Sequence, residues 1–251
     1  MKKNKLLLSI QNLSKNYHTP KSEICALEGI NLDIDEKEFI SIVGPSGCGK
    51  STILSILSEL EKKSGGNICF SKEVTIGYML QDDSLFPWRS ILDNCLIGLE
   101  VTNKLTEESK NYVIHLLKTY GLEDFMDKYP SSLSGGMRQR VALIRTLAIK
   151  PDILLLDEPM SALDYQSRLA ISDDIYSIIK KEGKTTIMVT HDIAEAISMS
   201  DRIVVLTKRP AKVKKIYDIN LTDKKNPIHN RKCLEFDKYY EAIWRDLDVH
   251  L

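Results

Sequence analysis

Four short, continuous apolar runs recur along the chain and predict strands that are buried on both faces of a sheet. They are EFISIVG (38–44), DILLLDEP (152–159), KTTIMVTH (184–191) and DRIVVLTK (201–208). Runs of this length without polar alternation are typical of parallel strands that helices cover on both sides. Stretches with helical apolar spacing separate them, beginning with STILSILSEL (51–60). The pattern therefore predicts an α/β protein with a mostly parallel sheet.

Two further regions, one with a β-like pattern and one with a helical pattern, complete the predicted architecture. The runs KLLLSIQ (5–11) and GINLDID (29–35) are β-like and precede the first buried strand. Apolar residues at three-to-four spacing fill PWRSILDNCLIGLE (87–100) and TEESKNYVIHLLKTYGLEDFMDKYP (106–130), with Gly121 placed to end a helix. We therefore expect a helical lobe, about residues 87–150, inserted into the α/β core.

The last part of the chain, from about residue 209, differs from the rest in its charge and apolar pattern. From about residue 209 it becomes basic and then loop-like, and it ends in FDKYYEAIWRDL (236–247). One helical stripe of that segment is apolar and contains Phe236, Tyr240, Ile243, Trp244 and Leu247. We expect an amphipathic helix that packs on its own domain. The predicted organisation is a main domain over 1–208 and a C-terminal extension over 209–251.

The composition excludes several functional classes. Thirty-five basic and thirty-five acidic side chains cancel to a net charge of zero, so no global field recruits nucleic acid or an anionic bilayer. Five cysteines without CxxC spacing argue against a disulfide framework or a zinc site and favour a reducing cytoplasm. No window approaches the ~20 apolar residues of a membrane helix, and the run Leu6 to Leu8 is too short for a signal sequence. We expect a soluble protein that reaches a membrane only through a partner.

The stretch GPSGCGKST (44–52) matches the phosphate-binding motif G-x-x-x-x-G-K-[ST] between a predicted strand and a predicted helix. The glycines let backbone N–H groups approach phosphate oxygens, Lys50 adds a charge between the β- and γ-phosphates, and the Ser51 hydroxyl suits Mg²⁺. Lys50 is therefore both a binding and a catalytic candidate. Within the loop, the position of Cys48 predicts inactivation by thiol reagents that ATP prevents. The nucleotide-binding candidates in this loop are Gly44, Pro45, Ser46, Gly47, Cys48, Gly49, Lys50, Ser51 and Thr52.

Acidic residues and a histidine end two of the later strands. Asp157 and Glu158 follow ILLL, at the strand end where ligands of open α/β sheets bind. We predict that Asp157 holds Mg²⁺ through water and that Glu158 orients or deprotonates the attacking water. His191 ends the run TIMVTH, and it should lie beside Glu158 with its imidazole facing the γ-phosphate. Solvated charges at a strand end are common on their own, but they are not expected beside a phosphate loop.

A second loop-then-helix stretch, LSGGMRQR (133–140), duplicates the design of the phosphate loop. Its Ser134 hydroxyl, the N–H groups of Gly135 and Gly136 and the start of the following helix form a predicted anion site. The stretch lies on the helical lobe, so we expect it to be displaced from Lys50. An ordinary turn that starts a helix would also explain Ser134 to Gly136, but not their combination with the other motifs.

With GPSGCGKST, LSGGMRQR, ILLLDEP, SALD and His191 in this order, residues 6 to about 208 resemble an ATP-binding subunit of the ABC transporter family. The resemblance implies a P-loop NTPase core with a mostly parallel sheet, an N-terminal antiparallel β region and an inserted helical lobe, with ATP and Mg²⁺ as cofactors. It implies that Tyr17 stacks on adenine and that Gln81 is a catalytic residue that contacts the metal or the attacking water. Asp164, in SALD, belongs to the loop that crosses between subunits at the nucleotide.

The resemblance also accounts for the duplicated loop and implies the partners. Two copies of the chain face head to tail, and each LSGG closes on the γ-phosphate that the other copy's P-loop holds, so ATP joins the dimer. Transmembrane permease subunits and, indirectly, an extracytoplasmic solute-binding protein are the other implied partners. The expected location is the cytoplasmic face of the cell membrane, and no nucleic-acid partner is expected.

Two segments indicate which group within the family the chain resembles. LFPW (85–88) and KRPAKVKKI (208–216) resemble segments of the nitrate, sulfonate and taurine importer group, which predicts uptake of a small anion or a related nutrient. The apolar side chains of LFPW are a candidate docking surface for the permease, or caps of the core of the lobe. SGGNICFSKEVTIGYMLQ (64–81) is shorter than the family's usual segment, which carries an extra turn and strand. Importers of thiamine precursors and riboflavin use similar subunits, so the substrate stays open.

Two alternative functions share the phosphate loop. The same ATPase cassette serves in DNA repair and translation, but those proteins carry coiled-coil insertions, zinc modules or a second cassette, and this chain lacks their basic footprint. A P-loop kinase would leave LSGG and SALD unexplained.

Overall fold

A computed structural model describes residues 5–19, 22–161 and 163–247. Its strands are β1 (Leu6–Thr19), β2 (Ser22–Asp35), β3 (Phe39–Val43), β4 (Gly65–Phe70), β5 (Ile76–Met79), β6 (Ile153–Asp157), β7 (Thr185–Val189), β8 (Arg202–Leu206) and β9 (Val213–Asp218). Its α-helices are α1 (Lys50–Leu57), α2 (Ile91–Val101), α3 (Glu107–Thr119), α4 (Gly135–Ala148), α5 (Tyr165–Glu182), α6 (Ile193–Met199), α7 (Pro227–Asn230) and α8 (Phe236–Asp246).

The central sheet has the strand order β5-β6-β7-β3-β8-β9, and every neighbouring pair except β8 and β9 is parallel. Every residue of β3, β6 and β7 is buried. Along β6, Ile153 and Leu155 pack with α1 and the N-terminal strands, whereas Leu154 and Leu156 pack with α2 to α5. Both faces of the sheet are therefore covered, and the mostly parallel sheet predicted from the continuous apolar runs is confirmed.

The N-terminal strands form a separate antiparallel sheet in the order β2-β1-β4. The predicted antiparallel region is thus confirmed, although β1 and β2 are each 14 residues long and exceed the runs that predicted them. This sheet packs its apolar side over α1 and the central sheet. Leu27 and Ala26 of β2 consequently lie against the loop that joins β3 to α1.

Helices α2, α3 and α4 occupy the region predicted to be helical. Ser90, Thr106 and Ser134 cap their N-termini with side-chain oxygens, as expected for residues of these types at a helix start. Gly121, at φ +73°, follows the end of α3. A Cβ built on Gly121 would have no neighbouring atom closer than 3.8 Å, so packing does not require glycine here. Its left-handed backbone conformation does.

The C-terminal segment packs on the rest of the chain. Phe236 and Ile243 of α8 are buried in a core that includes Val43 and Ile203 of the central sheet. Strand β9 was not predicted, because its sequence VKKIYD has no clear alternation and its lysines face solvent. Such charged side chains are common on edge strands, and β9 is the edge of the central sheet. The predicted division after residue 208 falls within the hairpin that β8 and β9 form.

Candidate active site

The phosphate loop lies between β3 and α1, at the carboxyl edge of the central sheet. Its tight course depends on Gly47 and Gly49, whose φ angles are +71° and +127°. A Cβ at Gly49 would also lie 2.9 Å from Leu27 Cδ2, so no larger residue fits there without a shift. The loop is therefore shaped by backbone conformation and by its packing against β2.

Lys50 is buried at the first turn of α1, with 6% of its surface exposed. Its ammonium group donates hydrogen bonds to the carbonyl oxygens of Gly44 and Pro45, at 2.9 and 3.1 Å. No carboxylate of the described residues lies within ion-pair distance of it. A buried cation that has only carbonyl acceptors is suited to bind an anion, and the nucleotide phosphates fit this requirement.

Asp157, at the end of β6, accepts two hydrogen bonds across the sheet edge. The Ser51 hydroxyl donates to its Oδ1 at 2.9 Å and the Tyr78 hydroxyl donates to its Oδ2 at 3.1 Å. Burial raises the pKa of Asp157, and these two hydrogen bonds act in the opposite direction. Burial, followed by the charge of Asp157, raises the pKa of Tyr78 to about 12, so Tyr78 remains a donor.

The pairing of Ser51 with Asp157 fits a magnesium site. A hydroxyl and a carboxylate are hard oxygen ligands, and Mg²⁺ takes its remaining ligands from water and phosphate oxygens. The described residues contain no group of three or more His, Cys, Asp or Glu side chains that could hold a metal by themselves. Ser51 and Asp157 would therefore hold the ion jointly with a nucleotide.

Glu158 and His191 form a second pair at the same edge. Val189 is the β-ladder partner of Asp157, so parallel pairing of β6 and β7 brings Glu158 and His191 together. His191 Nδ1 lies 3.0 Å from Glu158 Oε2, and the two side chains are 52% and 19% exposed. Glu158 has a φ of +44°, which is unusual for a residue with a Cβ. Its N–H donates to the Val189 carbonyl, which holds this strained backbone in place.

Of these side chains, Lys50, Ser51 and Glu158 line a cavity of about 220 Å³ beside the phosphate loop, which we call the P-loop cavity. Its lining contains residues of the loop, the start of α1, one acidic residue and one arginine that the sequence did not indicate. The lining residues are Ser46, Gly47, Gly49, Lys50, Ser51, Thr52, Glu158 and Arg209. The arginine follows β8, which is the sheet neighbour of β3. The cavity therefore combines the groups needed to bind and cleave a phosphate anhydride.

The second loop, LSGG, lines a different cavity of about 480 Å³, which we call the signature cavity. It is formed by the start of α4, the SALD loop and the start of α5, and it shares no lining residue with the P-loop cavity. Ser134 caps α4 by accepting from the Met137 N–H at 3.3 Å. Cβ atoms at Gly135 and Gly136 would lie 3.1 and 2.9 Å from Leu163 and Ile171. Both glycines thus allow α4 to pack closely against the side chains of Leu163 and Ile171.

Asp164 lies in the signature cavity and caps α5. Its Oδ1 accepts from the N–H groups of Gln166 and Ser167 at 3.1 and 3.0 Å. Hydrogen bonds with Ser167 are the first cause that lowers the pKa of this carboxyl group. Asp164 therefore lies with LSGG rather than with Lys50.

Tyr17 and Gln81 lie outside the P-loop cavity. Tyr17 pairs with Ile24 in the antiparallel sheet, and the Lys15 ammonium lies 4.6 Å from its ring centroid. Gln81 is exposed and follows β5, the neighbour of β6. Among the described residues, no hydrogen bond joins Gln81 to Asp157 or Glu158. The roles implied for both residues stay predictions.

Cys48 is buried within the phosphate loop. Only 2% of its surface is exposed, and burial raises the pKa of its thiol, although Lys50 acts in the opposite direction. Since the thiolate is the reactive form, we expect slow reaction with thiol reagents even without nucleotide.

The docking candidates of LFPW separate into a buried and an exposed group. Leu85 belongs to the core of the helical region, whereas 71% of the Trp88 surface is exposed and its ring lies 5.2 Å from that of Phe86. Within the described parts of the chain, every helix is too short or too polar to cross a bilayer.

Comparison with known proteins yields consistent matches. The model of a family described as ABC transporter matches residues 27–161. An uncharacterized ABC transporter ATP-binding protein of Bacillus subtilis (strain 168) is 43% identical over 248 residues, which cover 96% of this chain and 95% of that protein. A taurine import ATP-binding protein of Ruegeria pomeroyi is 37% identical over 223 residues, which cover 86% and 83% of the two chains. A dimeric ATP-binding cassette solved in a post-hydrolysis state, bound to ADP and Pi, matches with a TM-score of 0.73 and 33% identity, over 85% of this chain and 99% of that one.

Proposed function

The chain belongs to the ABC transporter family as an ATP-binding and hydrolysing subunit, and from that premise we propose that it powers an importer of a small solute. The observation that carries the proposal is the division of its phosphate-binding groups between two separate cavities. A complete single-chain ATPase would need only the first. The second implies that the reaction is tied to association with another subunit.

In the P-loop cavity, each side chain has a distinct task. Lys50 and the loop N–H groups bind the phosphates, and Ser51 and Asp157 would hold Mg²⁺, which supplies charge neutralisation when bound. Glu158 orients the attacking water and accepts its proton. His191, whose Nδ1 lies 3.0 Å from Glu158 Oε2, orients the Glu158 carboxylate. Its 52% exposure leaves it accessible to a phosphate oxygen.

The signature cavity supports an ATP-dependent dimer. The N-terminus of α4 opens onto it, and the first N–H groups of that helix favour an anion. We infer that this anion is the γ-phosphate held by the P-loop of a second copy. The arrangement is two-fold symmetric, since each copy then supplies one P-loop cavity and one signature cavity to each nucleotide. A dimeric relative of similar structure supports this assembly.

We assign the coupling surface to the segment after β5. Gln81 lies at its start, and the exposed ring of Trp88 projects beyond the buried Leu85. An exposed aromatic side chain beside a buried core is suited to a hydrophobic partner. We propose that permease subunits dock here and hold the protein at the cytoplasmic face of the membrane, with residues 1–208 as the ATPase domain and 209–251 as an extension.

The proposed cargo is a small anion of the nitrate, sulfonate or taurine type, or a related nutrient. LFPW, KRPAKVKKI and a relative named for taurine import support this class. Selection among these solutes belongs to the permease and an extracytoplasmic solute-binding protein.

Affinity purification of the tagged chain from solubilised membranes tests the proposal. We expect a multi-span membrane protein to co-purify, and Trp88→Ala to reduce its recovery. Leu234→Ala is the matched control, because Leu234 is 96% exposed and lies outside LFPW. Recovery of ribosomes or DNA instead would replace transport by a role in translation or repair.

A further inference from the structure

Arg209 lies in the short loop between β8 and β9. The loop is closed by a hydrogen bond from the Thr207 N–H to the Lys212 carbonyl at 3.0 Å and by one from the Thr207 hydroxyl to the Pro210 carbonyl at 3.2 Å. The Ala211 N–H also donates to the Ala26 carbonyl of β2 at 2.9 Å. Hydrogen bonds within the loop and to β2 of the neighbouring sheet thus hold the segment that contains Arg209.

The sheet topology brings this loop against the phosphate loop. Strand β8 runs parallel to β3, with Val205 opposite Val43, so the loops that follow them are neighbours. The guanidinium of Arg209 donates a hydrogen bond to the Gly47 carbonyl. Arg209 also lines the P-loop cavity together with Lys50 and Glu158. The residue therefore belongs to the phosphate site by geometry, although it is 162 residues away from Gly47 in sequence.

The charge of Arg209 is not matched by a carboxylate among the described residues. Other basic residues of the same hairpin do have acidic partners: Lys212 lies 3.0 Å from Glu28, and Lys215 lies 3.6 Å from Asp246. A guanidinium has five N–H donors in a planar fork. One donor reaches Gly47, which leaves others for a second acceptor. Besides Lys50, Arg209 is the basic residue in the lining of the P-loop cavity.

We propose that Arg209 is a further nucleotide-binding residue that donates to the phosphate oxygens while it remains bonded to the Gly47 carbonyl. This role rests on the proposed function of the P-loop cavity as the ATP site. A nucleoside triphosphate brings more negative charge than Lys50 alone neutralises, and charge-assisted hydrogen bonds from arginine to phosphate are strong and directional. Arg209 and Lys50 then approach the phosphates from two different strands of the sheet.

A purely structural role would be to clamp the phosphate loop, and two substitutions separate the two roles. Arg209→Gln keeps an N–H donor for the Gly47 carbonyl but removes the charge. Arg209→Lys keeps the charge but loses the fork. Lys212→Gln removes one charge from the same loop at a position outside the cavity, and it is the matched control.

The test measures ATP affinity of the full chain by calorimetric titration with Mg²⁺ at low and high ionic strength. We expect Arg209→Gln to weaken ATP binding about tenfold and Arg209→Lys to recover it to within about threefold of the unsubstituted chain. Lys212→Gln should leave it unchanged. The affinity of Arg209→Gln should also depend less on salt, because one screened charge pair is gone.

Two results would overturn the role of Arg209. One is an Arg209→Gln variant that binds ATP as tightly as the unsubstituted chain. The other is equal weakening in both Arg209 variants with an unchanged salt dependence, which indicates a clamp. Failure of the proposed function has a different signature: the unsubstituted chain would not bind ATP, or Lys50→Ala would leave binding intact.

Discussion

The P-loop cavity and the signature cavity contain the same backbone design but different side chains. Both lie at a loop that leads into a helix N-terminus, where backbone donors favour an anion. The first adds a buried lysine, an arginine and Glu158, whose carboxylate lies 3.0 Å from His191 Nδ1, whereas in the second Ser134 and Asp164 cap helices. One cavity can therefore carry out chemistry on a phosphate and the other can only recognise one. This difference supports the proposal that a catalytic unit combines one cavity of each kind, from two chains.

The largest effect should come from removing the chemistry of the P-loop cavity. Glu158→Gln keeps the size of the side chain but cannot accept a proton from water, so hydrolysis should fall about a thousandfold while ATP still binds. Steady-state phosphate release and ATP titration measure the two properties. Asp152→Asn is the matched control, because Asp152 precedes the opposite end of the same strand and pairs with Lys72 on the surface. Equal loss in both variants would remove Glu158 from the reaction.

The next effect should come from blocking recognition in the signature cavity. Ser134→Arg places a long side chain at the start of α4, where it excludes a phosphate from the helix N-terminus. We expect hydrolysis to fall about a hundredfold, a loss similar to that of a transition-state hydrogen-bond donor, with ATP affinity retained. Ser131→Arg adds the same group three residues earlier, outside the cavity, and should remain active. Loss of ATP binding in Ser134→Arg would place LSGG in its own chain's nucleotide site.

A smaller effect should follow from removal of the Tyr78 hydroxyl, which donates a hydrogen bond to the proposed magnesium ligand Asp157. Tyr78→Phe removes one of the two hydrogen bonds that Asp157 accepts. The Mg²⁺ concentration for half-maximal hydrolysis should rise about tenfold, which corresponds to the weaker hydrogen bonds to a charged group. Tyr112→Phe removes an equivalent hydroxyl that donates to Glu182 at 2.9 Å in the helical region. It should not change the magnesium dependence, and a shift in both variants would assign the effect to stability.

The smallest effect concerns stability rather than activity. Glu195 is buried behind Glu158 and His191, and burial raises the pKa of its carboxyl group from 4.5 to about 7. The folded chain therefore binds this proton more tightly than the unfolded chain, so this carboxyl group lowers the free energy of unfolding as the pH rises from 4.5 to about 7. Thermal unfolding across that range should show a flatter pH dependence in Glu195→Gln. An unchanged slope would mean that Glu195 is ionised in the folded protein.

The sequence predicted the parts of the fold and site that depend on local pattern. The apolar runs of β3, β6, β7 and β8 predicted buried strands. The motif G-x-x-x-x-G-K-[ST] predicted Lys50 as a site residue, and the polar strand ends predicted Asp157, Glu158 and His191. The pairing of Glu158 with His191 also followed, since both end buried strands. Local composition carries this information because buried parallel strands and phosphate loops each impose residue types at fixed positions.

The contributions of Tyr78 and Arg209 could not be predicted, because they depend on strand order. Tyr78 reaches Asp157 since β5 lies beside β6, and Arg209 reaches Gly47 since β8 lies beside β3. In the sheet order β5-β6-β7-β3-β8-β9, strands that are distant in the chain lie side by side. In the sequence, Arg209 lies in KRPAKVKKI, and the resemblance of this segment to the importer group does not indicate a contact with the phosphate loop.

The association state of Glu158→Gln tests most directly the claim that one catalytic unit is built from two chains. Static light scattering during size-exclusion chromatography gives the mass with and without ATP and Mg²⁺. We predict a monomer without nucleotide and a dimer with ATP, and return to monomer when Ser134→Arg is added to the same chain. A variant that binds ATP yet stays monomeric would contradict the account.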